Sequence, residues 1–192
     1  MGRPKKFDPD AATDAAVDVF WSRGYADATP AALEAGMGIA RSSLYNTFGS
    51  KSDLYLRALE RYIRDESSQV IELLDQPGDV LPKLRAAIER VVDLSLLDAE
   101  RRGCMVTNAA IERARDDEQV RTLLAQVVDD QVAAFSRAIA HGQVTGEINP
   151  AVDSTSMGNL LVATVNGIRV LARVDPSPTR LAALADAALL GL

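Results

Sequence analysis

Apolar residues recur at three- and four-residue steps along most of the chain. From Asp8 to Arg23, Ala12, Ala15, Ala16, Val19 and Phe20 fall on one side of a 3.6-residue turn. That spacing predicts a helix with one buried face, opened by Asp8 or Asp10 as cap, with Pro9 in the first turn and Gly24 as its stop. Thr29 then precedes Pro30, a cap ahead of a residue preset for the first helical position. Ala32 and Leu33 face inward on this short second helix, which Gly36 and Gly38 break with the backbone angles of a sharp turn. A third short helix is expected from about Ala40 to Thr47, with Leu44 and Phe48 one turn apart as its buried positions. Ser50, with Asp53 three residues on, forms an acidic variant of the capping box. It opens a long helix, roughly 51–74, whose apolar positions include Leu54, Leu59, Tyr62, Val70 and Leu73.

Gln76, Pro77, Gly78 and Asp79 mark a turn. Further helices are expected at about 80–97, 104–115, 117–141, 153–174 and 178–190. The breakers between most of them are Arg102-Gly103, the stretch from Gly142 to Pro150, and Pro176-Ser177-Pro178. No bounded run alternates with period two, and no internal repeat is visible. The expectation is an all-α chain with three short helices in front and six more after.

Composition agrees, with 47% hydrophobic residues, few aromatics and 25% charged residues, as in ordinary globular proteins. No apolar run approaches the length of a membrane span, and the basic start MGRPKKFDPD has no apolar segment behind it. One cysteine allows no internal disulfide, so the cytoplasm is the expected compartment. Charge is uneven. Residues 1–65 carry nine basic and nine acidic side chains, while residues 66–192 carry twelve and eighteen. A nucleic acid would therefore be met by the N-terminal part, where Arg3, Lys5 and Lys6 form a short basic arm. Residues 35–52 contain no Asp or Glu at all.

Two short helices joined by a glycine-containing turn, the second exposing polar groups, make a helix-turn-helix. Ile39 can join Leu33, Leu44 and Phe48 in a small core. The opposite face of the third helix then presents Arg41, Ser42, Ser43, Asn46 and Thr47, short donors and acceptors suited to base edges and phosphates. A carboxylate there would be repelled by the DNA backbone, which accounts for the acid-free stretch.

In order and spacing, Phe20, Gly24-Tyr25, Thr29, Leu33, Ala35-Gly36, Ile39, Ser43-Leu44-Tyr45, Phe48, Lys51 and Leu54 resemble the N-terminal signature of the TetR (AcrR) family of transcriptional repressors. One position departs: Thr47 stands where many members carry His or another aromatic before Phe48. The resemblance implies an N-terminal three-helix DNA-binding domain (1–50, with the arm at 1–7). A C-terminal helical bundle for ligand binding and dimerisation (51–192) would follow, joined through the helix 51–74. It implies that Thr29 caps the second helix and touches a phosphate, and that Arg41, Ser42 and Ser43 enter the groove. Tyr45 and Lys51 would hold phosphates, and Arg3, Lys5 and Lys6 would add phosphate or minor-groove contacts. Tyr45 packed half-buried, and the arm as a solubilising tail, stand as the plainer alternatives.

Such regulators bind a double-stranded operator as homodimers, and the helices near 153–174 and 178–190 are the expected dimer surface. Val162, Val165, Ile168, Leu171, Ala172, Leu181, Leu184, Ala185, Ala188 and Leu189 exceed what one small monomer hides easily. The resemblance also implies a small-molecule pocket inside the C-terminal bundle whose occupancy shifts the helix 51–74. Expected lining residues are Cys104, Met105, Asn108, Phe135, Asn159, Asn166 and Arg169. Met105 and Phe135 serve equally as core, and the three asparagines and Arg169 as dimer contacts. Cys104 follows Arg101-Arg102-Gly103, where cations and a helix start favour thiolate. The Gly-Cys pair resembles a branch of the family responsive to electrophiles, oxidants or metals, although a lone cysteine also suits a core. No catalytic constellation, metal set or cofactor motif is visible, and His141 reads as a helix-terminal cation. A dimeric helical adaptor without DNA binding is the competing reading.

Overall fold

Asp8 accepts a hydrogen bond from the amide of Asp10 at 3.0 Å and starts α1 (Pro9–Asp27). The computed structural model describes residues 7–192, so Arg3, Lys5 and Lys6 lie outside the described residues. Gly24, at φ 75° and ψ 174°, interrupts the ladder inside α1. The chain therefore bends at Gly24, and the helix expected to stop there resumes for one turn. Thr29 Oγ1 accepts from the Ala32 amide at 3.2 Å and caps α2 (Pro30–Met37). The turn into α3 (Arg41–Phe48) is carried by Gly38 alone, which is left-handed at φ 65°. Gly36 is helical, and a Cβ there would run into the Val19 side chain. Its role is close approach of α2 to α1, a correction to the expected turn role. Ser50 and Asp53 form the reciprocal capping box, at 2.9 and 3.0 Å, that opens α4 (Lys51–Tyr62).

Phe20, Leu33, Ile39, Leu44, Phe48, Leu54 and Tyr55 are buried together, with the Phe20 and Tyr55 rings edge to face at 5.0 Å. The long helix then departs from expectation. After Tyr62 the backbone widens into a π-helical stretch (Ile63–Ser67) before α5 (Ser68–Leu74). An extra residue in one turn rotates the apolar stripe. Consequently Leu54, Tyr55, Ala58, Leu59 and Tyr62 face the first core, while Val70 and Leu74 face a second one.

That second core is built by α5, α6 (Val80–Leu97), the C-terminal half of α8 (Glu118–Thr145), α9 (Ser154–Val174) and α10 (Pro178–Leu189). Between α6 and α8, α7 (Met105–Glu112) packs against α1 and α4. Cys104 sits at the N-cap of α7, one residue before the helix proper. At 28 residues, α8 is about 42 Å long and serves both cores. Val120 and Leu124 close the first, and Ala134, Phe135, Ala138 and Ile139 fill the second. Gly158 lets α9 approach α8, where a Cβ would strike Ser136. Among the described residues all regular structure is helical, and no helix is long and apolar enough to cross a membrane.

Most residues expected at a dimer surface are inside the monomer. Val162, Val165, Ile168, Ala172, Leu181, Ala185 and Ala188 are buried in the second core, and Leu184 and Leu189 pack against it. Five helices share that core, enough to hide them. Of the expected set only Leu171 is exposed, at 40%; it shares the outward side of α9 with Leu160, Val170 and Val174.

Candidate nucleic-acid interface and seam cavity

With Leu44 and Phe48 locked in the core, the rest of α3 faces outward. Arg41, Ser42 and Asn46 are exposed, and Ser43, Tyr45 and Thr47 are partly so. No side chain caps α3 at Ala40, so its first amides stay open to an anionic partner. The Arg41 guanidinium lies 5.8 Å from the Tyr45 ring centre, and Tyr45 itself packs partly against the first core. The acid nearest the stretch on its C-terminal side, Asp53, is taken up by Ser50, whose hydrogen bonds hold its carboxyl below the usual range.

Lys51 is not a loosely solvated residue. Its ammonium stands 4.5 Å over the Tyr25 ring and donates to the Ala26 carbonyl at 3.4 Å. Burial pushes its pKa down, with Glu112 opposing and Arg113 assisting. Thr29, whose Oγ1 accepts from the Ala32 amide, still has its hydroxyl proton to donate outward.

The bend at Gly24 leaves the next amides without helical partners, and α7 supplies one. The Glu112 carboxylate accepts from the Tyr25 amide at 2.8 Å and the Ala26 amide at 2.6 Å. Beside it, Arg113 lies 4.0 Å over the Tyr25 ring and pairs with Asp117 at 2.7 Å. Asp117 caps α8 through the Val120 amide at 3.2 Å and accepts from Ser52 Oγ at 3.4 Å. The α7–α8 corner thus grips both the end of α1 and the first turn of α4. Arg113 and Asp117 pair locally, four residues apart. Nothing local marks their site role or that of Glu112, because the hydrogen bonds to Tyr25, Ala26 and Ser52 span 65–87 positions.

A cavity of about 290 Å3 opens where the N-terminal helices meet the bundle. Apart from Trp21, its lining residues all belong to the C-terminal region 51–192, at the edge where that region meets α1. Trp21 of α1 forms one wall; its indole N–H donates to the Gly103 carbonyl at 2.7 Å. The Arg102 guanidinium stacks 3.7 Å from the indole, and Tyr62 meets the indole edge to face at 5.0 Å. Opposite, Arg169 Nη1 donates to Cys104 Sγ at 2.7 Å. Burial pushes the Cys104 thiol up, but the Arg169 charge and hydrogen bonding by Thr107 and Tyr62 more than offset it, so its pKa is lowered. Burial, reinforced by Cys104, pushes the Tyr62 hydroxyl up.

Of the expected lining residues, Cys104 and Arg169 face this cavity. Asn108 donates to the Arg102 carbonyl and accepts from Arg173, both at 2.9 Å, and borders a neighbouring cavity of about 270 Å3. Met105 and Phe135 are packed in the two cores, each 1% exposed. Asn159 is exposed and bonded to the Thr155 carbonyl, and Asn166 meets Thr107 at 3.4 Å. These four do not line the cavity. Trp21, Tyr62, Arg101 and Arg173 do, and were missed. That Trp21 is the only tryptophan in the sequence was the one available hint.

Residues 12–58 match the family described as "Bacterial regulatory proteins, tetR family", and residues 80–188 match the "Tetracyclin repressor-like, C-terminal domain". The chain belongs to the TetR family. It is 30% identical to the uncharacterised HTH-type transcriptional regulator YezE of Bacillus subtilis, over 98% of each chain. It is 28% identical to the HTH-type transcriptional repressor ComR of Escherichia coli, over 98% of this chain and 90% of that one. Among solved structures, a cysteine mutant of the TetR family regulator CifR, complexed with 26-bp double-strand operator DNA, superposes with a TM-score of 0.86. It shares 30% identity over 97% of this chain and 98% of that one. The protein is thus a TetR-type transcriptional regulator and not an enzyme.

Proposed function

We propose that the protein is a cytoplasmic repressor that binds a palindromic operator as a homodimer and is released when a small molecule occupies the seam cavity. Residues 1–50 serve as the reading head and 51–192 as the ligand and dimer region. Arg41, Ser42, Ser43, Asn46 and Thr47 read the groove, while Thr29, Tyr45 and Lys51 hold phosphates. The single observation that carries the reading is the shared wall of the cavity. Trp21 belongs to the head and Arg169 to the bundle, so a molecule between them has a direct purchase on α1. ComR is named a repressor and CifR was solved on its operator, which supports the sign and the partner. The outward apolar side of α9, Leu160, Val170, Leu171 and Val174, is the surface a second copy would cover.

The test is a DNA-shift titration against the region upstream of the protein's own gene, at two salt concentrations, with Lys51→Ala and Tyr45→Ala alongside. Saturable binding that weakens steeply with salt and is weaker in both variants is expected. A dimer that binds neither this DNA nor a randomised pool would overturn the reading in favour of an adaptor.

The Arg169–Cys104 contact favours a second reading in which the thiolate is itself the sensor. The sulfur would bond to the electrophilic carbon of an unsaturated aldehyde, and the resulting enolate would take a proton from water. Loss of aldehyde-induced operator release in Cys104→Ser supports it, and an unchanged response removes it.

A further inference from the structure

We infer that the seam cavity takes a small organic carboxylate with a flat or short apolar body, held by the guanidinium of Arg169. The inference rests on reading this cavity as the effector site.

The charge pattern is the first ground. Nine other arginines of this acidic chain are within ion-pair distance of a carboxylate. Arg101, Arg169 and Arg173 all line the cavity and, like Arg23, Arg41, Arg57 and Arg90 elsewhere, have no such partner among the described residues, so three of the seven unpaired arginines gather here. The two acids in the wall do not supply one. Asp98 is committed to the Gly103 amide at 2.8 Å and to Arg102 at 3.3 Å. Glu66 adds to the field at Arg169 without forming an ion pair. Arg169 spends one donor on Cys104 Sγ and has others left in a fixed fork, the geometry that receives a carboxylate.

The remaining wall sets the body of the ligand. Trp21, Leu94, Leu97 and Ala172 are apolar, which disfavours a bare inorganic anion. A volume of about 290 Å3 is at the small end for ligand sites. A single-ring or short-chain acid fits. Finally, Arg101 adopts φ 54°, the one non-glycine residue with positive φ among the described residues. It does so in the loop at the cavity rim, a place where such conformations accompany function.

Trp21 is the only tryptophan in the chain, so its fluorescence reports this site without any DNA present. The full-length protein is titrated with benzoate and hexanoate, and in parallel with benzyl alcohol and inorganic phosphate. Saturable change with at least one acid, at a Kd of about 1 mM or tighter, is expected. Benzyl alcohol and phosphate should bind at least about tenfold more weakly, and Arg169→Gln should cost the acid roughly ten- to a hundredfold. If Arg169→Gln fails to fold by circular dichroism, the rim double variant Arg101→Ala/Arg173→Ala decides, with about a tenfold loss expected. No saturation by either acid up to about 10 mM overturns the assignment. So does alcohol or phosphate binding as tightly as benzoate, or an unaffected variant. A protein that shifts operator DNA but gives none of these signals overturns the carboxylate assignment alone. One that binds benzoate and no DNA overturns the preceding reading alone.

Discussion

The indole N–H of Trp21 donates to the carbonyl of Gly103 at 2.7 Å, although 82 residues separate them. One hydrogen bond therefore ties the first helix of the reading head to the loop that rims the cavity. Trp21→Phe keeps a ring under Arg102 but leaves the Gly103 carbonyl without this donor. A loss of about 1 kcal/mol in unfolding free energy is expected, read as a lowered urea midpoint with the same slope.

Glu112→Gln replaces a carboxylate that accepts from two successive amides by a group with one acceptor oxygen. Stability should fall by about 1 kcal/mol, kept small by the exposure of the site. Operator affinity should fall as well, because the freed turn at Tyr25 and Ala26 carries Lys51. Calorimetry and the DNA-shift titration read the two effects separately.

Lys51 and Arg41 should fail differently on DNA. Lys51→Ala should weaken binding to all sequences alike and lower the slope of log affinity against log salt by about one. Arg41→Ala should cost about 1–3 kcal/mol at the bases it reads and relax preference there. Binding to a panel of single-base operator variants at several salt concentrations separates the two.

The Asp117 carboxyl is held below its usual range by its bond to Arg113, with help from the Val120 amide against some burial. A depressed carboxyl stabilises the fold above its unfolded pKa and loses that contribution as pH falls through the folded one. Stability of the wild type should therefore drop below about pH 4. The Asp117→Asn protein should start lower at neutral pH and show a flatter acid limb in pH-resolved urea melts.

Val170→Asp with Val174→Asp puts charge on the outward side of α9, where the residues are 44% and 76% exposed. The monomer core is untouched, so the far-ultraviolet spectrum should stay the same. Light scattering should show a monomer, and cooperative operator binding should disappear.

The reading head was legible because its determinants are local. Thr29 before Pro30, Ser50 with Asp53, and the apolar spacing of Leu44 and Phe48 each act within a few residues. The cavity was not legible, since Trp21, Tyr62 and Arg169 meet only after three distant segments are packed. Tyr62 looked like any inward position on a long helix, and nothing in its neighbourhood announces the π-helical stretch that follows. Val162, Val165 and Ile168 looked surplus because an apolar stripe shows that a face is buried, not against what. Here α6, α8 and α10 cover it.

The first core is not closed by the N-terminal helices alone; Cys104, Met105, Ala109, Val120 and Leu124 complete it. A fragment cut after α4 would leave Tyr55, Leu59 and Tyr62 facing water. For anyone building chimeric regulators, the transferable unit is accordingly discontinuous. A head moved to another bundle must travel with its α7 and the first two turns of α8, or the graft will carry an open seam.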